Sequence, residues 1–213
     1  MRHSERASVP QGIRSPMIYL ASNSPRRSEL LTRIGVAYTV LMPEGTVEAV
    51  DETPLDGELP LDYAVRLARA KALAGWQRLE QTHLPCHPVL AADTTVAVGH
   101  RILGKPADAE EAREMLRLLS GNMHEVITAV AMIQSPAFEC RASVTRVWFR
   151  ELSAEDIEAF VGTGEYLDKA GGYGIQGFAA RFIARVDGSP SGVMGLPLFE
   201  TDQLLSMFGR GIQ

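Results

Sequence analysis

The stretch MIYLASNSPRRSELLTRIGVAYTVLM, residues 17–42, holds the pattern from which the fold is read. Residues 17–21 are a short apolar run of the kind that fills a buried strand. SNSPRRSELLTRIG then carries the punctuation of a helix, with Ser24 at the N-cap, Pro25 at the first helical position and Gly35 where the helix should stop. Residues 36–42 return as a second strand. The helix start also has chemical potential: its unpaired N–H groups carry partial positive charge, and Arg26, Arg27 and three serines surround them. A plain helix start and an anion cradle fit this pattern equally well.

Outward from this unit, PEGTVEAVDETPLDGELP is rich in Pro, Gly and acid and reads as a long loop, a feature that often serves function. Residues 61–81 have helical periodicity, with Leu61, Ala64, Val65, Ala68, Ala72 and Trp76 tracing an apolar stripe. PVLAADTTVAVG, residues 88–99, is too apolar for a one-sided strand and is expected at the centre of a sheet. RILGKP closes a hairpin-like return. DAEEAREMLRLLSG reads as a helix capped by Asp108 and stopped by Gly121. Strands are expected over residues 125–133 and 141–150, then a helix in SAEDIEAFVGTG with a capping box from Ser153 to Asp156. RFIARVDG adds a strand and PLFETDQLLSMF a last helix. Strands and helices alternate early and strands pair in the middle, which predicts an α/β fold with a mixed sheet. The expected organisation is a flexible leader over residues 1–16 and one two-lobed domain over 17–210, with a groove between the lobes as the site.

Composition narrows the function. The chain has 213 residues, 46% hydrophobic and 22% charged, which is ordinary for a soluble globular protein. Its formal net charge of −5 argues against a nucleic-acid polymer as partner, yet a few well-placed cations could still hold one anionic small molecule. Cys86 and Cys140 lie far apart without metal-ligand spacing and read as reduced thiols of a cytoplasmic protein. No apolar run approaches the roughly 20 residues needed to span a bilayer, and the basic start lacks the apolar core of a secretory signal.

Polar groups stand out in four places. Asp93 interrupts the apolar run LAADTTVAV, where an unpaired carboxylate would face a desolvation cost of several kcal/mol. Lys105 sits between Gly104 and Pro106 in a tight turn that could aim it at a phosphate. LDKAGGYGIQG brings glycines that allow close backbone approach, and Gln176, which offers a donor and an acceptor to a base edge. The fourth is the opening helix start. Asp51, Glu52 and Lys71 add acids and a base that could equally be solvated charges. Together, cations, carboxylates and a glycine-rich loop suit phosphoanhydride hydrolysis, with carboxylates holding a hard divalent cation or taking a proton from water.

These residues carry a family resemblance. LASNSPRRSELL, DETP followed by YAVRLARAKA, AADTTV followed by LGKP, LSG followed by a histidine and TAV, then LDKAGGYGIQG and GLPL stand in the order and spacing of the Maf family of nucleoside triphosphate pyrophosphatases, which the chain resembles from residue 18 to about 208. The resemblance implies a Maf/ITPase-like fold and cleavage of a nucleoside triphosphate between the α and β phosphorus atoms, with a divalent metal, Mg or Mn. It makes Asp93 the general base or metal-linked carboxylate and Glu52 its partner on the metal, with Glu44 and Glu48 as the other acids of the same long segment. Ser22, Arg26, Lys71 and Lys105 would bind the triphosphate, and Thr94 and Gln176 would help select the base, Gln176 as a buried amide. Arg27 is read as a surface or supporting charge. AGGYGIQG looks like the branch acting on dTTP and UTP, and by extension on modified pyrimidine triphosphates. The alternatives are the sister branch acting on methylated GTP and a nucleotide-responsive regulator of division that does not depend on turnover. A homodimer is compatible with such folds, though no interface is legible in one chain.

Overall fold

The computed structural model describes residues 17–41 and 50–210. The expected leader over 1–16, and the candidates Glu44 and Glu48, lie outside the described residues. The opening stretch folds as strand β1 (Ile18–Leu20), helix α1 (Pro25–Arg33) and strand β2 (Tyr38–Val40), with β1 and β2 parallel. Ser24 occupies the N-cap but makes no side-chain capping bond; its own N–H donates to Ser22 Oγ at 3.2 Å. Pro25 begins the helix as expected, and Gly35 follows its last turn with φ of 71°. The second strand is shorter than the expected span because residues 36 and 37 serve the turn out of α1.

Helix α2 (Pro60–Glu80) precedes the long strand β3 (Val89–Val98), which is buried on both faces, and the short return strand β4 (Arg101–Leu103) pairs antiparallel with its end. Helix α3 (Ala109–Leu119) starts at Asp108, whose carboxylate accepts from the N–H groups of Glu110 and Glu111. Strands β5 (Met123–Gln134) and β6 (Ala137–Phe149) form a long antiparallel pair, both extending beyond the expected spans. Helix α4 (Ala154–Val161) has the expected capping box of Ser153 and Asp156. Two 3₁₀ turns, Ala170–Gly172 and Phe178–Phe182, lead into strand β7 (Ile183–Asp187), followed by the short helix α5 (Pro190–Val193) and the final helix α6 (Leu198–Arg210). The 3₁₀ turns and α5 are too short to leave a periodic signal in sequence.

The strands form one seven-stranded mixed sheet in the order β2-β1-β3-β5-β6-β7, with β4 on the edge of β3. Side chains alternate across a strand, so β3 sorts its residues by parity. Leu90 and Ala92 join the core made with Leu30 and Leu31 of α1 and Leu204 and Leu205 of α6. Val89 and Ala91 face the opposite way, against Ala64, Ala68, Ala72 and Trp76 of α2. Further along, Val96 enters a third core built on α3, α4, Phe149, Phe160 and Phe182. The polar triplet Asp93–Thr94–Thr95 falls where one pair of cores gives way to the next.

The α2 stripe differs in one member. Leu61, in the first turn, is 42% exposed, whereas Leu67 and Leu79 are buried and carry the stripe toward the C-terminus. Cys86 and Cys140 are free thiols, and no helix among the described residues is long and apolar enough to cross a membrane.

Candidate functional site

Parity decides which neighbours each polar residue of β3 meets. Asp93 shares the face of Val89 and Ala91 and therefore points toward α2, where Lys71 stands one residue before the buried Ala72. Lys71 Nζ donates to Asp93 Oδ1 at 2.6 Å. The same ammonium lies 2.6 Å from Glu52 Oε1. Glu52 belongs to a loop with no regular structure, yet the loop is held by α2. The Tyr63 hydroxyl donates to the Glu52 carbonyl at 2.8 Å, and Arg66 donates to the Thr53 carbonyl at 3.1 Å and to both Glu58 oxygens at 2.6 and 2.7 Å. Arg66 thereby holds the Glu58 carboxyl down to about 2, below the ordinary range.

Burial pushes the Asp93 carboxyl upward, while the charge and hydrogen bond of Lys71 and the charge of Arg27 pull against that rise; the net shift is upward. Burial also pushes Glu52 upward, but there the Lys71 hydrogen bond and charge, with Lys105 and Arg27, win and leave it below its ordinary value. Two neighbouring carboxylates thus diverge: the inner one binds a proton more readily, and the outer one stays ionised.

Thr94 has the other parity and faces the α1 side. Arg27, expected as a surface or supporting charge, takes the supporting place of the two. Its guanidinium turns inward, donating from Nε to the Gly195 carbonyl at 2.8 Å, from Nη1 to Ser22 Oγ at 3.0 Å and from Nη2 to Thr94 Oγ1 at 3.5 Å. Thr128 of β5 extends the network, its hydroxyl 3.0 Å from Thr94 Oγ1 and 2.8 Å from the Gly192 carbonyl. Burial lowers the pKa of Arg27, partly offset by Asp93. Adjacent arginines on a helix point about 100° apart, so Arg27 can be bound into the framework while Arg26 is directed elsewhere along the same groove.

Ser22, Arg27, Glu52, Tyr63, Lys71, Asp93 and Thr94 line one groove of about 1020 Å³, a volume in the range that accepts a nucleotide. Ser22, Arg26, Glu52, Lys71, Asp93, Thr94, Lys105 and Gln176 all belong to its wall, so the expected residues are brought together. Among the described residues no hydrogen bond or ion pair engages the side chains of Arg26, Lys105 or Gln176. Gln176 lines the groove yet is exposed, between half-buried Ile175 and Gly177, which corrects the expectation of a buried amide.

Three groove residues escaped the sequence reading. Glu165 Oε2 accepts from the Phe178 N–H at 2.9 Å, closing the ends of the glycine-rich loop. Lys169 donates to the carbonyls of Glu165 and Leu167, and its neighbour Arg26 joins burial in lowering its pKa. Arg78 lines the α2 wall. A charged residue seven positions after Lys71 on the same helix was a usable signal for Arg78; Glu165 and Lys169 needed the loop's closed shape.

The class this defines is an α/β protein with a mixed sheet that presents a buried carboxylate, a lysine bridge and several cations to a nucleotide-sized groove. The chain belongs to the Maf-like protein family, whose profile matches residues 17–208. It is similar to the dTTP/UTP pyrophosphatase of Nitrosomonas europaea, 52% identical over 198 residues that span 92% of this chain and 96% of that protein. The dTTP/UTP pyrophosphatase of Aromatoleum aromaticum is 51% identical over 196 residues, or 90% of this chain and 95% of that one. A HAM1 protein from Coxiella burnetii gives a TM-score of 0.40 at 24% identity, over 63% of this chain and 73% of its own, a partial likeness.

Proposed function

We propose that this protein is a nucleoside triphosphate pyrophosphatase that hydrolyses dTTP and UTP, and modified pyrimidine triphosphates, to the monophosphate and pyrophosphate. The observation that carries the reading is a buried Asp93 held by Lys71 in a groove whose other polar walls include Arg26 and Lys105. The activity named for relatives at about half identity supports the same substrates.

The site suits a divalent ion. Glu52 and Asp93 each reach the same ammonium at 2.6 Å, so two carboxylates converge on one point where positive charge is already favoured. Among the described residues no cluster of three or more acidic, His or Cys ligands occurs, so an ion held by these two carboxylates would need substrate phosphates and water to complete its shell, as Mg-type sites do. Glu52 and Asp93 would hold it, and once bound it would supply charge neutralisation at the phosphates.

The chain's own residues do the rest. Asp93, made more basic by burial, takes a proton from the attacking water. The water oxygen bonds to the α phosphorus, the bond to the αβ bridging oxygen breaks, and pyrophosphate leaves with that electron pair. Arg26 and Lys105 draw the phosphate chain along the groove, and Lys71 keeps Asp93 from being neutralised by its own burial. Gln176 meets a pyrimidine edge, where its amide can answer a carbonyl with a donor and an N–H with an acceptor. The free thiols and the nucleotide substrate suit a cytoplasmic setting.

The test is a nucleotide panel assayed for pyrophosphate release with Mg or Mn. dTTP and UTP should be the preferred canonical substrates, and Asp93→Asn should lose at least about 100-fold in kcat. A preference for methylated GTP, or full activity in Asp93→Asn, would overturn the proposal.

A further inference from the structure

His124 is 1% exposed, and no step above uses it. Its Nε2 lies 2.7 Å from the phenol oxygen of Tyr173, which is 6% exposed. The two rings meet edge to face with centroids 5.4 Å apart, and Phe149 packs edge-on against each, at 5.0 Å from His124 and 4.9 Å from Tyr173. Burial lowers the imidazole to about 4, so it stays neutral and the bond persists through the working pH range.

Tyr173 is the fourth residue of AGGYG, the entry to the loop that carries Gln176. Around it the chain offers only glycine and Ala170, so the phenol is the single polar side chain able to tether residues 170–174. The glycines let the loop lie close against its support. Gly171, at φ of 68°, donates its N–H to the Gly104 carbonyl at 2.9 Å, and a Cβ at that position would stand 2.9 Å from Val96 of β3. Gly104 immediately precedes Lys105. The base-side loop and the phosphate-side turn are therefore joined, and their common pin reaches down to His124 at the start of β5.

We propose that His124 is a positioning residue for base selection: by hydrogen-bonding Tyr173 it fixes the glycine-rich loop against β3 and the Lys105 turn, and so sets where Gln176 meets the base. This rests on the reading of the groove as a pyrimidine triphosphate site. Nothing in it requires His124 to touch substrate. The effect should appear in which base is accepted and how tightly, and only weakly in the chemical step.

The experiment measures kcat and KM for UTP and for GTP in wild type, Tyr173→Phe, His124→Phe, the double variant and His124→Gln, with thermal melts of each. Tyr173→Phe deletes one oxygen and keeps the ring, so packing with Phe149 survives. It should lower the UTP-to-GTP ratio of kcat/KM by about tenfold, through KM for UTP, with kcat within about threefold. The double variant should discriminate no worse than either single one, because both remove the same bond. His124→Gln, which retains a polar partner, should restore most of the ratio. If Tyr173→Phe melts near wild type with an unchanged ratio, or if the two single effects multiply, the inference falls while the pyrophosphatase reading stands. If Tyr173→Phe does not fold, His124→Gln against His124→Phe decides by the same ratio. Absence of turnover on every nucleotide in wild type would overturn both readings together.

Discussion

Lys71 Nζ and Asp93 Oδ1 stand 2.6 Å apart, joining the middle of α2 to the middle of β3. Taking away one partner of a buried pair leaves the other charge without compensation. Lys71→Met should therefore raise the Asp93 pKa further, because the pull that opposes burial disappears. The acid limb of the pH profile of kcat/KM should move to higher pH, and activity at pH 7 should fall by at least about tenfold. An acid limb that stays in place would show that the base is elsewhere.

Asp93 also makes a prediction for stability. Its folded pKa is raised, so the folded state binds this proton more tightly than the unfolded chain does. The stabilisation is complete below the unfolded pKa, near 4, and is lost as pH rises through the folded value. Asp93→Asn removes that loss and leaves Lys71 paired with Glu52. It should melt above wild type at pH 7.5, with the difference closing toward pH 3. Scanning calorimetry across pH reads this directly.

His124 has the opposite pH sense in the unfolded chain's favour. Its pKa is lowered to about 4 by burial, while an unfolded histidine takes its proton near 6.5. Between those values the unfolded chain binds more protons, so stability should decline as pH falls from about 6.5 to 4, by up to about 3 kcal/mol. Urea unfolding of wild type against His124→Gln should isolate this component; parallel pH curves for the two would refute it.

Arg27 is expected to resist conservative replacement. Lys cannot reach Ser22, Thr94 and Gly195 together, because it lacks the planar fork of donors. Arg27→Lys should lose about tenfold or more in kcat/KM and about 1–2 kcal/mol of stability from polar groups left unmet. Steady-state kinetics and melting curves compared with Arg26→Lys would separate the arginine bound into the framework from its neighbour.

Gly177 has no room for a side chain. A Cβ there would lie 1.9 Å from Glu165 Oε2, the oxygen that accepts from the Phe178 N–H. Gly177→Ala should break this closure and raise KM for UTP by about tenfold or more with little change in kcat. Pairing it with Glu165→Ala removes the clash, so recovery of the backbone position without recovery of KM would identify the carboxylate itself as necessary.

Much of this architecture was legible because its signals are local. β3 is apolar on both faces, so its central place followed from composition, and Asp93 stood out against it. Asp108 and the Ser153–Asp156 box announce helix starts through contacts two or three residues away. Arg27 was left open between a surface and a supporting place because its partners lie elsewhere: Gly195 is 168 residues distant, and whether Arg26 or Arg27 turns inward depends on the angle at which α1 meets the sheet. The exposure of Gln176 likewise depends on the path of its loop. Leu61 fitted the helical period but is exposed, while its first-turn neighbours Pro60, Tyr63 and Ala64 take the buried face. Glu52 could be chosen only by family spacing, since its position is fixed by Tyr63 and Arg66 reaching back from the next helix.

The route of β3 and β5 bears on how the walls of the groove can move. Both strands pass without interruption from the cores under α1, α2 and α6 into the core under α3 and α4, and they remain in register from Val89–Ile133 to Ala97–Glu125. The two ends of the groove are thus tied together by one uninterrupted ladder. Any relative movement of the groove walls is therefore tied to a twist of this shared floor. Asp93 sits within that ladder, paired with Ala129, so its carboxylate is carried by the same floor that joins the two ends of the groove.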